Sequence, residues 1–360
     1  MQKYRVGIIG ATGMVGQRFL TLLDNHPWFE VSTLAASARS AGRSYREAVD
    51  GRWAFDWDIP AYAVDMAVVD AADITAVTKD VDFVFCAVDM PKDQIRALEE
   101  AVARAETPVV SNNSAHRWTP DVPVMVPEVN ADHTAVIEAQ RRRLGTKVGF
   151  VAAKPNCSIQ GYVPALSPLR DFGLKQISVC TYQAISGAGK TFQRWPEMID
   201  NVIPFISGEE EKSEKEPLKI WGHIENGQIV CAERPVISAQ CYRVAASDGH
   251  MAAVSVSFDK KPPKDEILAR WKAYKGQPQL LNLPSAPKQF LTYFEEENRP
   301  QTRLDRDIER GMGVSIGRLR EDSIFDYKFA SLAHNTIRGA AGGAVLTAEL
   351  LCAQGYIPHK

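Results

Sequence analysis

The chain has 360 residues, 45% hydrophobic and 24% charged, with a formal net charge of −2 at pH 7. That length allows two domains with full cores, and the composition is ordinary for a soluble globular enzyme. A balance so near neutrality favours neither nucleic acid nor an anionic membrane surface as a partner, and no apolar run has the length of a membrane span. The N-terminus reads directly as a strand, without the basic leader and apolar stretch of a secretory signal. Cys86, Cys157, Cys180, Cys231, Cys241 and Cys352 form no CxxC pair, and the seven histidines show no metal-ligand spacing. These features predict a cytoplasmic protein with reduced thiols and no metal.

Residues 4–9 form a short β-branched run that stops at a glycine-rich turn. A helical pattern follows, with Val15, Phe19, Leu22 and Leu23 on one face, ending near Asn25-His26-Pro27. A strand over 30–36 leads into the polar loop 37–43. Then come a strand over 81–88, a helix opened by Pro91, a strand over 108–111, a helix over 131–143 and a strand over 148–152. Alternation of this kind predicts a Rossmann-type, doubly wound parallel sheet.

After Lys154 the pattern changes. A helix is expected to start around Cys157, and longer alternating strands follow at 177–185, 233–244, 251–259 and 313–330. They predict an α+β domain with a mixed, largely antiparallel sheet and helices on one side. The charged stretch 208–219 reads as a solvated helix, and Arg141-Arg-Arg143 as a helix end whose charge suits the dipole. His116 reads as a surface loop residue and His223 as a strand edge or turn. Residues 339–351 are alanine-rich and strongly helical, and are expected to fold back onto the first domain. The expected division is therefore 1–154 for the nucleotide domain, completed by 336–360, and 155–335 for the catalytic domain.

Gly10-Ala-Thr-Gly13-Met-Val-Gly16 follows a strand and opens a helix. Its glycines let the backbone approach a pyrophosphate, with the helix N–H groups and dipole aimed at it. Gly10, Thr12, Gly13, Met14 and Val15 are the expected contacts. At the end of the second strand an NAD enzyme would carry Asp or Glu for the ribose 2′-hydroxyl. This chain has Ser37, Arg39 and Ser40 there, which suit the 2′-phosphate of NADP.

Pro155-Asn-Cys157-Ser158 lies between a predicted strand and the next predicted helix. At a helix N-terminus the dipole favours a thiolate, and a backbone N–H there is a candidate oxyanion donor. Cys180, Cys231, Cys241 and Cys352 read instead as small buried hydrophobes. A nucleophilic cysteine also requires a base, and the sequence alone does not choose among seven histidines.

From these motifs the chain resembles the aspartate-semialdehyde dehydrogenase family, nearest its archaeal and fungal branch. The resemblance runs from the Gly10–Gly16 turn through Ser111-Asn-Asn-Ser-Ala-His-Arg117, Pro155-Asn-Cys-Ser158 and Gln183-Ala-Ile-Ser-Gly-Ala-Gly189. It continues through Arg243, seven residues before His250, to Asn335-Thr-Ile-Arg-Gly-Ala-Ala-Gly-Gly343. The resemblance implies Cys157 as nucleophile, His250 as acid/base and Gln183 as the residue orienting the acyl group. It further implies Arg243 on the substrate α-carboxylate, Glu209 on its ammonium, and Arg117 and Lys212 on phosphate. Ser186, Gly187 and Asn335 would line the nicotinamide pocket of NADP. The implied reaction links L-4-aspartyl phosphate and NADPH to L-aspartate 4-semialdehyde, phosphate and NADP⁺ through a cysteine thioester, in a homodimer or homotetramer. Malonyl-CoA reductase, which shares the scaffold, and a non-catalytic NADP-binding paralogue are the competing readings.

Overall fold

The computed structural model describes residues 2–360. Strands β1 (Tyr4–Ile9), β2 (Phe29–Ala36), β3 (Val68–Asp70), β4 (Phe83–Cys86), β5 (Val109–Ser111) and β6 (Val151–Ala153) pair in parallel in the order β3-β2-β1-β4-β5-β6. Their apolar runs are continuous because both faces are covered. Helix α1 (Met14–Leu23) brings Phe19, Leu20 and Leu23 onto one face, against Phe83 and Phe85. Helix α2 (Lys92–Arg104) brings Val102 and Ala103 onto the other, against Val84 and Val109. Helix α3 (Ile137–Leu144) carries its three arginines in the last turn and ends at Gly145 in the left-handed region, φ 74°.

The second sheet contains β7 (Leu174–Gln183), β8 (Val202–Ile203), β11 (Val236–Val244), β12 (His250–Phe258), β13 (Leu291–Phe294), β14 (Val314–Glu321) and β15 (Tyr327–Ala333), in the order β13-β14-β15-β12-β7-β11-β8. The pairs β7–β11 and β13–β14 are parallel and the others antiparallel. A separate hairpin, β9 (His223–Glu225) and β10 (Gln228–Val230), turns through Asn226-Gly227. Helices α4 (Glu209–Ile220) and α5 (Lys264–Ala273) lie on one face of the large sheet; Trp271 of α5 packs edge-on to Phe329. Gln176, Ser178 and Tyr182 of β7, Ser238 and Gln240 of β11, and Ala253 of β12 remain exposed on the other.

Several expectations need correction. The single strand over 313–330 is a hairpin, because Asp322 accepts from the N–H groups of Ile324 and Phe325 and turns the chain. The helix at Cys157 is a 3₁₀ turn, Ser158–Gln160, followed by a five-residue helix from Tyr162. Helix α4 is not simply solvated: Glu209, Ser213, Glu216 and Ile220, one turn apart, form a buried stripe. Its polar members are satisfied, and the Lys219 ammonium donates to the carbonyls of Arg117 and Thr119 at 2.8 Å each. His116 is buried, not on the surface, and Cys231 is exposed.

Residues 334–360 return to the first sheet. A π-helical turn, Ile337–Ala341, runs into α6 (Gly342–Ala353), whose Ala344, Val345 and Ala348 join α1 over Phe83, Phe85 and Val110. Arg338, fully buried, forms a two-pronged pair with Glu128, at 2.6 and 2.5 Å, and its Nε reaches Gln160. Removing one partner strands the other charge in the core. Arg338→Met is therefore expected to cost about 3–5 kcal/mol of unfolding free energy. Glu128→Gln combined with Arg338→Met should cost less than the sum of the two singles. Denaturant midpoints of the single and double variants check this, and additive losses would count against a coupled pair.

Candidate active site

At the nucleotide end, the turn after β1 shows why glycine is required and where it is not. Gly10 has φ 88°, and a Cβ there would lie 2.2 Å from the Ala87 carbonyl oxygen. A Cβ on Gly16 would meet the Gly10 oxygen at the same distance. Gly13 differs: a Cβ would touch only the Gly10 oxygen, at 3.6 Å, so packing leaves that space open. Gly13 is also the N-cap of α1 and supplies no side chain to its first N–H groups. This open, uncapped helix start leaves its first N–H groups and the positive end of the helix dipole accessible to an anion.

The turn opens on a cleft of about 610 Å³ lined by Gly10, Thr12, Gly13, Ser37, Arg39 and Asp70, among others. Arg39 and Ser37 are exposed at its rim, whereas Ser40 is buried in the turn, its N–H on the Ser37 carbonyl. Met14 and Val15 are half-buried, and Met14 lines a second cleft with Arg18, Ser186 and Asp248. Arg18, missed in the sequence, stacks on Phe55 with its guanidinium carbon 4.1 Å from the ring centre.

At the other end, β7 and β11 run parallel and pair Gln183 with Arg243. His250 opens β12, and Gly187 lies in the turn after β7. A Cβ on Gly187 would come within 2.9 Å of Arg243 Nη1 and of His250 Nε2, so both side chains converge on this glycine. Arg243 Nη1 donates to the Ala184 carbonyl at 2.7 Å. His250 Nδ1 accepts from the Ala184 N–H at 3.1 Å. The neutral ring therefore carries its proton on Nε2, and that buried atom has no protein partner. Burial, then the Arg243 charge, push the His250 pKa down to about 3.

Cys157 lies under the returning segment: a Cβ on Gly339 would be 2.9 Å from its Cβ. Burial, then the Glu209 charge, raise its pKa to about 11, against the opposing influence of Lys154, Arg117 and Arg243. Of the backbone N–H groups in this turn, that of Ser158 is bonded to Asn156 Oδ1 at 2.7 Å. Glu209 accepts from Asn156 and Lys212 on one oxygen, at 2.9 and 2.7 Å, and from Gln183 on the other, at 3.2 Å. Arg117 is buried; it bonds Glu216 at 2.8 Å and the Lys154 and Asn112 carbonyls at 2.9 and 3.4 Å. A guanidinium has five N–H groups, so some of its donors stay uncommitted. Asn335 accepts from the Gly249 N–H and donates to Ser186, both at 2.8 Å, tying the segment to the loops around His250.

Cys157, Gln183, Gly187, Glu209, Arg243 and His250 are thus brought together. Lys212 stands at the rim, and Arg117 behind the Pro155–Ser158 turn. Sequence reasoning missed Asn156 and Glu216; Glu216 accepts from both Arg117 and the Asn156 N–H, the latter at 2.6 Å. The helical spacing from Glu209 to Glu216 carried that signal. Among the described residues, no three His, Cys, Asp or Glu side chains group so as to hold a metal ion, and no helix is long and apolar enough to cross a membrane.

Residues 5–137 match the family described as "Semialdehyde dehydrogenase, NAD binding domain", and residues 166–338 match "Semialdehyde dehydrogenase, dimerisation domain". The chain is 42% identical over 355 residues to an aspartate-semialdehyde dehydrogenase of Archaeoglobus fulgidus, covering 99% of this chain and all of the relative. It is 45% identical over 349 residues to that of Methanothermobacter thermautotrophicus, covering 96% and 98%. Its fold superposes on the crystal structure of aspartate semialdehyde dehydrogenase with NADP from Candida albicans with a TM-score of 0.89, at 38% identity, covering 99% of this chain and all of that one.

The buried histidines predict how stability depends on pH. His250 and His334, with pKa values lowered to about 3 and about 4 by burial first, are neutral in the folded protein at neutral pH. Once unfolded they protonate near their ordinary value of about 6.5. Between that value and the folded ones the unfolded chain binds more protons, so stability falls as pH falls. Denaturant midpoints should decline steadily as the solution is acidified through this window, and His250→Asn should flatten the decline. A midpoint independent of pH there would show that neither ring is held neutral by the fold.

Proposed function

The chain belongs to the aspartate-semialdehyde dehydrogenase family, and from that premise we propose how its residues divide the work. It is an NADP-dependent enzyme that converts L-4-aspartyl phosphate reversibly to L-aspartate 4-semialdehyde, in lysine, threonine and methionine biosynthesis. The convergence of Arg243 Nη1 and His250 Nε2 on Gly187, beside Cys157, carries the reading of the site.

In the biosynthetic direction Cys157 attacks the acyl carbonyl and expels phosphate, leaving a thioester on Sγ. NADPH, when bound, supplies the hydride that reduces this thioester. His250, neutral with its proton on Nε2, donates to the acyl oxygen and steadies the tetrahedral stages, a role typically worth about 10²–10⁴ in rate. Gln183 orients the acyl group. Arg243 takes the α-carboxylate with its uncommitted N–H groups, and Glu209 takes the α-ammonium. Phosphate meets Lys212 and the free donors of Arg117. Gly10, Thr12, Gly13, Met14 and Val15 hold the pyrophosphate, and Ser37, Arg39 and Ser40 recognise the 2′-phosphate. Ser186, Gly187 and Asn335 frame the nicotinamide.

The protein is a homo-oligomer, with residues 155–335 as its catalytic and dimerisation domain and 1–154 with 336–360 as the nucleotide domain. The bare sheet face carrying Ser178, Tyr182, Ser238, Gln240 and Ala253 is where two copies meet. A cytoplasmic setting fits six free cysteines.

Initial rates of NADPH formation from the semialdehyde should require phosphate or arsenate, with CoA unable to replace them, and Cys157→Ser should abolish turnover while retaining NADP binding. Efficient phosphate-independent reduction of malonyl-CoA would overturn the reading, since that substrate has no ammonium for Glu209. A second prediction concerns the cofactor rim. Arg39→Ala should raise the Michaelis constant for NADP and leave NAD kinetics little changed, because NAD lacks the phosphate that Arg39 pairs with. Equal losses with both cofactors would remove Arg39 from that role.

A further inference from the structure

Lys154 directly follows β6, three residues before Cys157, and is among the largest fully buried side chains of the protein. Its ammonium has three N–H donors but donates to one protein acceptor, the Pro155 carbonyl at 3.2 Å, and no carboxylate lies within ion-pair distance. Glu216, the acid on this side of the site, is already held by Arg117 and the Asn156 N–H. Buried charges are ordinarily paired or neutralised, so this amine lacks a counter-charge.

Two glycines of the returning segment show what it faces. A Cβ on Gly339 would be 2.9 Å from Cys157 Cβ, and a Cβ on Gly343 would be 2.8 Å from Lys154 Cε. Gly339 and Gly343 are four residues apart on one helical segment, a spacing of about 6 Å between side-chain positions. Cys157 Cβ and Lys154 Cε therefore lie under neighbouring positions of this one segment. His250 does not offer Cys157 a base in its neutral state, because its Nδ1 lone pair is taken by the Ala184 N–H.

We propose that Lys154 is a positioning residue for the reaction: its buried ammonium is the counter-charge that allows Cys157 to stand as a thiolate before it attacks the acyl carbon. Heterolysis of the Cys157 S–H bond leaves the electron pair on sulfur, and the proton passes to the Lys154 amine or to solvent. The resulting pair is a thiolate and an ammonium, with no net charge buried. Acylation consumes the thiolate and leaves a neutral thioester, and cleavage of the C–S bond in the last step returns its electron pair to sulfur as the thiolate, restoring the pair. The groups facing the two are few. Glu209 opposes the thiolate; Arg117 and Arg243 favour it, and Arg117, Arg338 and Glu216 complete the surroundings of Lys154. Burial lowers the Lys154 pKa to about 7 and raises that of Cys157 to about 11, and the charge of each group acts against the shift of the other.

The proposal rests on the reading of Cys157 as the nucleophile, and one experiment separates the two. The rate of Cys157 alkylation by iodoacetamide is followed against pH in the full-length wild type, Lys154→Met and Lys154→Arg, with kcat and KM for the semialdehyde measured on each. In Lys154→Met the thiolate limb should move up by about one pH unit, making alkylation about tenfold slower at neutral pH. Its kcat should fall while KM changes little, and Lys154→Arg should recover part of both losses. An alkylation profile of folded Lys154→Met that coincides with wild type would overturn the proposal. If that variant does not fold, Lys154→Gln is read by the same criterion. Turnover by Cys157→Ser would instead sink the nucleophile assignment.

Discussion

The buried pair between Glu128 and Arg338 is the joint on which the returning segment and the turn after Cys157 depend. Glu128 belongs to the chain between β5 and β6, Arg338 to the segment that returns after β15, and Gln160, which receives Arg338 Nε, to the turn after Cys157. With the guanidinium fixed by its fork, the neighbours of Arg338 have little choice of position. Gly339 must lie on Cys157, and Asn335 must reach Ser186 and the Gly249 N–H. One charge pair thus anchors the roof over the reactive sulfur.

The same economy governs the electrostatics. The site holds Lys154, Arg117, Arg243, Glu209 and Glu216 with little water around them, where each charge is felt strongly by its neighbours. Glu216 answers Arg117, and Glu209 gathers Asn156, Gln183 and Lys212. His250 is kept neutral by burial and by the Arg243 charge. The Nε2 proton of His250 and the spare N–H groups of Arg243, which have no protein partner, lie against the space that the absence of a Gly187 side chain leaves.

Much of this was legible in the sequence, for identifiable reasons. The parallel sheet announced itself because strands buried on both faces are unbroken apolar runs, as in Phe83–Cys86. The Gly10–Gly16 turn was readable because its geometry excludes side chains at Gly10 and Gly16. Strand β3, with three residues, and the aromatic loop 49–67 before it carry no periodicity to read. The charge of helix α4 points to solvent, because charge normally marks a solvated face. Here Glu209, Glu216 and Lys219 are buried by partners distant in sequence, which periodicity does not reveal. Residues with specific partners, such as Asn156 and Glu216, are intelligible only once the partners are placed. The position of the Cys157 turn after a strand points to a helix there, yet Asn156 Oδ1 captures the Ser158 N–H and tightens the start.

The π-helical turn at Ile337–Ala341 has a consequence for how this segment can change over time. A turn of this kind accommodates one residue more than an α-helix does. Its register fixes which residues face the joint, the sulfur and the sheet. Loss of one residue would rotate everything beyond it by about 100°, taking Gly343 off Lys154 and Ala344, Val345 and Ala348 off the core. Small-for-small exchanges along α6 leave that phase intact, whereas insertions and deletions do not. Length, more than composition, is what natural variation in this stretch has to preserve.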